Sequence, residues 1–274
     1  MPKIKSASTR NKYGLTRHIN EEIAREVRVR CGFGCVICGL GLYEYEHFMP
    51  EFKNARFHMA DGITLLCPNH HDRKTRGMLP VEVIKKFNAT PKALQNGAAG
   101  DKFFLTAKPT IIIGTAKITS TPVVLQIENE PILIIQRGED ENEPYLITAN
   151  LHDKNGELIL AIENNVWETP NRTWDCKSIG RKIEIRSAPR NIELVLRKEI
   201  GNVIVIERLS MFHRGYKIMV HEGRNTTFIT PTGVNLVVDS CEIDDCLSGI
   251  LLFHNAISLG FGGGSVRLTG GSSH

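Results

Sequence analysis

Two textures of hydrophobic and polar positions divide the chain. From residue 103 onward the apolar residues come in short runs, many alternating with polar ones: "TIIIGTAKITS", "PVVLQIEN", "EPILIIQR", "PYLITANL", "ELILAIEN", "KIEIRS", "NIELVLRK", "NVIVIERL", "YKIMVHE", "NLVVDS" and "GILLFHN". A period of two is that of a strand with one buried face, and turn formers such as "DKNG" between neighbouring runs mark hairpins. The expected fold there is all-β and antiparallel, a sandwich or a relative of one. The similar phrases "NEPILII" and "NEPYLIT" hint at a repeat, and "NLVVDSCEIDDCLSGILLF" also admits a solenoid reading. The Gly/Ser-rich end "GFGGGSVRLTGGSSH" reads as a tail.

Before residue 100 the periodicity is helical. "NEEIAREVRVRCG" predicts a helix with Asn20 as N-cap, Glu21 and Glu22 at the positive end of its dipole and Arg28 and Arg30 at the other. Gly32 and Gly34 stop it. "HHDRKTRG" and "PVEVIKKFN" predict two more helices, the second opened by Pro80. Turn formers cluster in "NATPKALQNGAAGDK" and place a boundary near residue 100. The expected organisation is α+β: a basic arm over 1–18, an N-terminal domain over 19–98 and a β-rich domain over 99–274.

The length of 274 residues suits two domains, each able to bury a core. No apolar run is long enough to cross a bilayer, and the basic start "MPKIKSASTRNKYG" lacks the apolar segment of a secretory signal, so a cytoplasmic protein is expected. Seven cysteines, four of them in the first quarter, argue for reduced thiols over a disulfide framework. The net charge of +4 hides an asymmetry: residues 1–100 carry 16 Lys/Arg against 9 Asp/Glu, or +7, and the remainder carries 18 against 21, or −3. A basic module of this kind suits a polyanionic partner, although a solvated basic face gives the same count.

The chemistry concentrates in that basic module. Cys35-x2-Cys38 is matched, after 28 intervening residues, by Cys67-x2-His70 in "LLCPNHH". Two such pairs, each on a tight turn, supply the four ligands of a tetrahedral structural Zn2+. With every position filled by protein, the ion would brace the fold and leave no room for substrate. Cys31, Cys176, Cys241 and Cys246 lack histidine companions at ligand spacing and read as small buried hydrophobes.

The order "CVIC", "YEHF", "LLCPNHHDRKTRG" resembles the HNH endonucleases of the ββα-metal class that carry a zinc knuckle, over roughly residues 20–90. The resemblance implies a hairpin and helix around a divalent ion, with His47 as general base and Glu46 and His71 as ligands of a catalytic Mg2+ or Mn2+. Imidazole suits deprotonation of water near neutral pH, and a cation offsets charge on the phosphate and the leaving oxygen. His70 and His71 are adjacent on a helix start, about 100° apart, and spacing alone leaves open which of them faces the zinc. Gly62 stands where the family's middle asparagine falls, so Asp61 or His58 is the candidate for orienting the base, with Asn54 and Asn69 behind them.

Lys53, Arg56, Arg73, Lys74 and Arg76 surround the motif and are candidate phosphate contacts. No helix presents Asn, Gln and Arg as a major-groove reader would, so low sequence specificity on DNA is expected. An unspecific nuclease needs restraint, which assigns the β domain a sensing, targeting or oligomerising role with an activating ligand or partner; phage defence or restriction fits such a layout. Trp167 and Trp174 in "NNVWETPNRTWD" are either a recognition loop or core packing. Cutting both strands would require two visits or a homodimer. The rival reading is a catalytically inactive, zinc-braced DNA- or partner-binding module; an RNA-directed enzyme is a third.

Overall fold

The computed structural model describes residues 10–137 and 143–269. The first nine residues of the basic arm, the last five of the Gly/Ser-rich tail and the opening Asn142 of the "NEPYLIT" phrase lie outside the described residues. The chain forms two compact units, Met1–Ala99 and Gly100–His274. It is α+β, with most of its regular structure in strands.

The N-terminal unit is built on helix α1 (Glu21–Arg30), the hairpin of β1 (Glu44–His47) and β2 (Ile63–Leu66), helix α2 (Pro68–Thr75), helix α3 (Val81–Ala89) and a short helix α4 (Lys92–Asn96). Asn20 caps α1 by accepting a hydrogen bond from the Ile23 amide at 2.9 Å, as the N-cap preference predicts. α4 falls inside the stretch expected to be irregular; Pro91 starts it and Gly97, in the left-handed region, ends it within a turn and a half.

Val27 of α1, Ile63, Leu65 and Leu66 of β2, Phe48 and Ile84 form one buried cluster. The two arginines expected at the C-terminal end of α1 are there, and they also tie the helix to its surroundings. Arg28 is only 1% exposed and donates to Glu21 at 2.5 Å and to the Tyr45 hydroxyl at 2.7 Å. Arg30 donates to the carbonyls of Ala60, at 2.8 Å, and Ile63. A buried guanidinium demands such partners, and here it ties α1 to the hairpin that carries the site.

The second unit contains an eight-stranded and an eleven-stranded sheet. Most neighbouring strands are antiparallel hairpins, as the alternation implies. The sheets are nonetheless mixed: Val203–His213 runs parallel to Thr110–Ile113, Cys241–Asp244 to Ala116–Thr119, and Ser248–Phe253 to Val123–Ile127. The expectation of a purely antiparallel fold is therefore corrected. Parallel partners lie far apart in sequence, and a period-two pattern carries no record of which strand a run will meet.

The strands Asn235–Val238 and Cys241–Asp244 join the eleven-stranded sheet and Ser248–Phe253 the eight-stranded one, so this stretch is not a solenoid. The tail residues Ser265–Leu268 form a strand paired with Cys241–Asp244. Trp167, offered as a loop residue or core, is 3% exposed in the strand Val166–Pro170. The turn before it uses Asn164 and Asn165 at φ 49° and 72°, the left-handed pair that a two-residue hairpin requires. Side chains of Ile111, Ile204 and Ile206 from one sheet and of Leu133, Ile147 and Ile162 from the other line a common apolar cavity.

Candidate metal centre and cleft

α1 ends in the tight turns around Gly32 and Gly34, which lead straight into the first cysteine pair. A Cβ on Gly34 would stand 2.6 Å from the Gly39 carbonyl oxygen, so the chain closes around Cys35 and Cys38 only with hydrogen there. β2 then delivers Cys67 to the N-cap of α2, Pro68 sets the first turn, and His70 follows on the helix. The sulfur and imidazole atoms of Cys35, Cys38, Cys67 and His70 all lie within 4.8 Å of one another.

Three of the separations decide the fit to a metal. Cys38 Sγ is 3.8 Å from Cys67 Sγ, and His70 Nδ1 is 3.4 Å from Cys35 Sγ and 3.2 Å from Cys67 Sγ. A tetrahedron with Zn–S bonds of about 2.3 Å has edges of about 3.8 Å, slightly less where nitrogen replaces sulfur. The donor set and its spacing fit zinc. The thiols are already polarised against one another: a hydrogen bond from Cys38 lowers Cys35 to about 5, and the same contact with burial pushes Cys38 up. The geometry resolves the choice between adjacent histidines, since His70 faces the sulfurs and His71 points elsewhere.

His71 reaches the β1 strand. Its Nε2 is 3.1 Å from Glu46 Oε2 and its Nδ1 is 3.2 Å from Glu44 Oε2. Glu44 and Glu46 share one face of β1 because they are two residues apart. Glu44 was not singled out from the sequence, although the period of a strand was a signal that could have paired it with Glu46. Hydrogen bonding to Glu46 raises the His71 pKa against the opposing effect of burial, with Glu44 and Glu46 adding charge. The Glu46–His71 separation is that of a direct hydrogen bond.

The pair opens into a cleft of about 630 Å³ whose wall includes Arg17, Glu46, Glu51, Phe52, His71 and Lys74. Glu51, missed from the sequence, accepts from Lys74 at 2.9 Å and sits 2.7 Å from Lys53, and these two cations hold its carboxyl at about 2. Lys74 also lies 3.8 Å from Glu46. Of the other predicted phosphate contacts, Arg56 stacks over the Tyr13 ring at 5.0 Å, Arg76 pairs with Asp72 on α2, and Arg73 is exposed beside them.

His47 lies apart from this wall. It follows Glu46 on β1 and so faces the other side of the strand, where it is 8% exposed. Its Nε2 is 2.9 Å from Nδ1 of His58, and its ring meets the edge of Phe52 with centroids 5.4 Å apart. Burial, then the facing His58, lower its pKa to about 4, with Glu46 pulling upward and Arg17 downward. Of the two residues offered for orienting it, His58 touches it, whereas Asp61 has a 90% exposed side chain 3.6 Å from Arg30.

Gly62 has a steric reason of its own. A Cβ there would stand 2.1 Å from the Met49 carbonyl oxygen, and the Gly62 carbonyl accepts from the amides of Phe48 and Met49 at 3.0 and 3.2 Å. No side chain fits in the space a middle-motif asparagine would need. Of Asn54 and Asn69, the first is engaged by Lys12 at 3.0 Å.

Cys31 is buried with Sγ 3.7 Å from Thr64 Oγ1, and Cys176, Cys241 and Cys246 are buried too, which agrees with their reading as small core residues. No helix among the described residues is long and apolar enough to cross a membrane. No protein-family model, curated protein or solved structure matches this chain.

Proposed function

We propose that the N-terminal unit is a metal-dependent endonuclease of the HNH kind, hydrolysing phosphodiester bonds in DNA, and that the β unit senses, targets or oligomerises it. The observation that carries this reading is the Glu46–His71 pair, 3.1 Å apart on the wall of a cleft that Arg17, Lys53 and Lys74 also line, and joined through α2 to the Cys35, Cys38, Cys67, His70 set. A Mg2+ or Mn2+ held by Glu46 and His71 would supply the positive charge that phosphoryl transfer requires. His47 is the proposed base: with its pKa lowered to about 4 it is neutral at physiological pH, and a base this weak would rely on the divalent ion to acidify the attacking water. His58 orients its ring, in the role that Gly62 leaves vacant. Lys53, Arg56, Arg73, Lys74 and Arg76 give affinity for the DNA backbone without reading bases.

The β unit is read as sandwich-like because side chains of both sheets meet around one apolar cavity. Its activating ligand and a place in phage defence rest on the need to restrain an unspecific nuclease, and a homodimer rests on the need to cut both strands.

A second reading is favoured by one observation. His47 is 8% exposed and absent from the cleft wall, as suits a zinc-braced unit that binds DNA or a partner without cutting. Plasmid relaxation separates the two. Wild type with Mg2+ or Mn2+ should nick supercoiled DNA, and His47→Ala should lose at least about a hundredfold in rate. Absence of nicking by the wild type across both metals and a range of salt would overturn the nuclease and leave the binding module; parallel RNA substrates test the RNA-directed alternative.

A further inference from the structure

The cleft contains three cationic side chains from different segments: Arg17, Lys53 and Lys74. Two of them are already committed, since Lys53 and Lys74 both lean on Glu51, at 2.7 and 2.9 Å. Arg17 differs. Among the described residues its guanidinium has no carboxylate partner, and it lies over the ring of Phe52, 4.6 Å from the centroid. A guanidinium held over a ring by its face keeps its N–H edge for a ligand, the arrangement that bidentate recognition of a phosphate uses.

The segment that carries Arg17 is anchored in advance. Asn11 Nδ2 donates to the carbonyls of Phe52 and Ala55, each at 2.6 Å, and Asn11 Oδ1 accepts from the amides of Tyr13 and Leu15 at 2.9 and 3.0 Å. Lys12 Nζ donates to Asn54 Oδ1 at 3.0 Å, and Tyr13 packs against Lys12 and Arg56, with each cation 5.0 Å from its ring centroid. Residues 10–16 therefore form a clasp on the 52–56 loop, and the next residue is delivered to the wall that Glu46 and His71 also line. Prior anchoring removes much of the ordering cost that a flexible basic arm would meet on binding a polyanion.

We propose that Arg17 is a further phosphate contact of the cleft, beyond Lys53 and Lys74, its guanidinium binding a non-bridging oxygen pair of the nucleic-acid backbone beside Glu46 and His71. The proposal rests on the nucleic-acid reading above and adds a role for the N-terminal arm. It concerns binding, so it stands or falls separately from hydrolysis.

The test measures binding of a short fluorescein-labelled DNA duplex by anisotropy, with the full chain in the non-cutting His47→Ala background and across a salt series. Arg17→Ala should weaken binding about five- to thirtyfold near physiological salt and flatten the slope of log affinity against log salt by about 0.9, the share of one phosphate contact. Arg17→Lys should restore the slope while recovering only part of the affinity, because it keeps the charge and loses the planar fork. Thermal midpoints of the same proteins control for a loosened arm. An unchanged salt slope in Arg17→Ala, whether or not the midpoint falls, overturns the phosphate contact and leaves Arg17 as an anchor on Phe52; no duplex binding in the parent protein overturns it equally. If the slope flattens but the wild type never nicks plasmid, the phosphate contact stands and the hydrolytic reading fails; if the wild type nicks and the slope is unmoved, the reverse holds.

Discussion

Nδ1 of His58 stands 2.9 Å from Nε2 of His47, and the two rings are 5.1 Å apart between centroids. One nitrogen of His47 is thus fixed by a neighbour, which leaves the other for proton transfer and sets the ring's orientation. His58→Ala should lower the nicking rate by about ten- to a hundredfold with a smaller change in KM, the signature of a misplaced base. His58→Asn, which retains a donor and an acceptor, should recover part of the rate. Equal rates in wild type and His58→Ala, read from initial nicking velocities, would remove His58 from the site.

The same contact makes an acid-stability prediction. His47 is held to about 4, below its ordinary 6.5, by burial and by His58. Between those values the unfolded chain binds a proton that the folded chain does not, so this contribution is fully present above about 6.5 and is lost as pH falls through about 4. At pH near 5 the penalty is on the order of 1 to 2 kcal/mol relative to pH near 7. Replacing His47 with Gln should flatten the fall in urea midpoint over that window, and an unchanged pH profile would show that His47 is not buried as described.

Gly62 should resist any larger residue. The Met49 carbonyl oxygen lies where a Cβ would go, at 2.1 Å, so Gly62→Asn must displace the backbone that also carries the Phe48 and Met49 hydrogen bonds. A loss of about 2 to 4 kcal/mol in unfolding free energy is expected for Gly62→Ala, with Gly62→Asn no better despite its match to the family motif. Thermal or urea melts of both variants check this, and a neutral Gly62→Ala would refute the close approach.

Zinc should be integral to the N-terminal unit. Native mass spectrometry should find one zinc per chain, released together with loss of helical circular dichroism on strong chelation. Cys35→Ser and Cys67→Ser, both at buried positions, should prevent stable folding of this unit, because structural zinc supplies about 10 kcal/mol or more of apparent binding energy. The β unit contributes none of the four ligands, so its β-sheet signal should persist in the same samples.

What the sequence by itself determined was local. The four candidate metal ligands come in two x2 pairs, and a two-residue spacer confines each pair to one turn whatever the surroundings. The N-cap at Asn20, the strand character of most runs after residue 103 and the hairpins between neighbours follow from the same short-range rules. Glu46 and His71 were named only through the resemblance of the motif order to the HNH nucleases, since neither spacing nor composition marks them.

The tertiary structure decided what depends on segments far apart meeting. Arg28 was placed at the C-terminal end of a helix dipole and proves also to be buried, because whether a helix face meets a partner is not written within the helix. His58 rather than Asp61 reaches His47, although both lie in the same loop, since their side chains leave the backbone in different directions. Arg17 arrives in the cleft through two hydrogen bonds from Asn11 to carbonyls over forty residues away, and no periodicity encodes them. The parallel strand pairs of the β unit have the same origin: alternation marks a residue as facing a core, while the choice of neighbouring strand is made by packing and crossover geometry across the whole sheet.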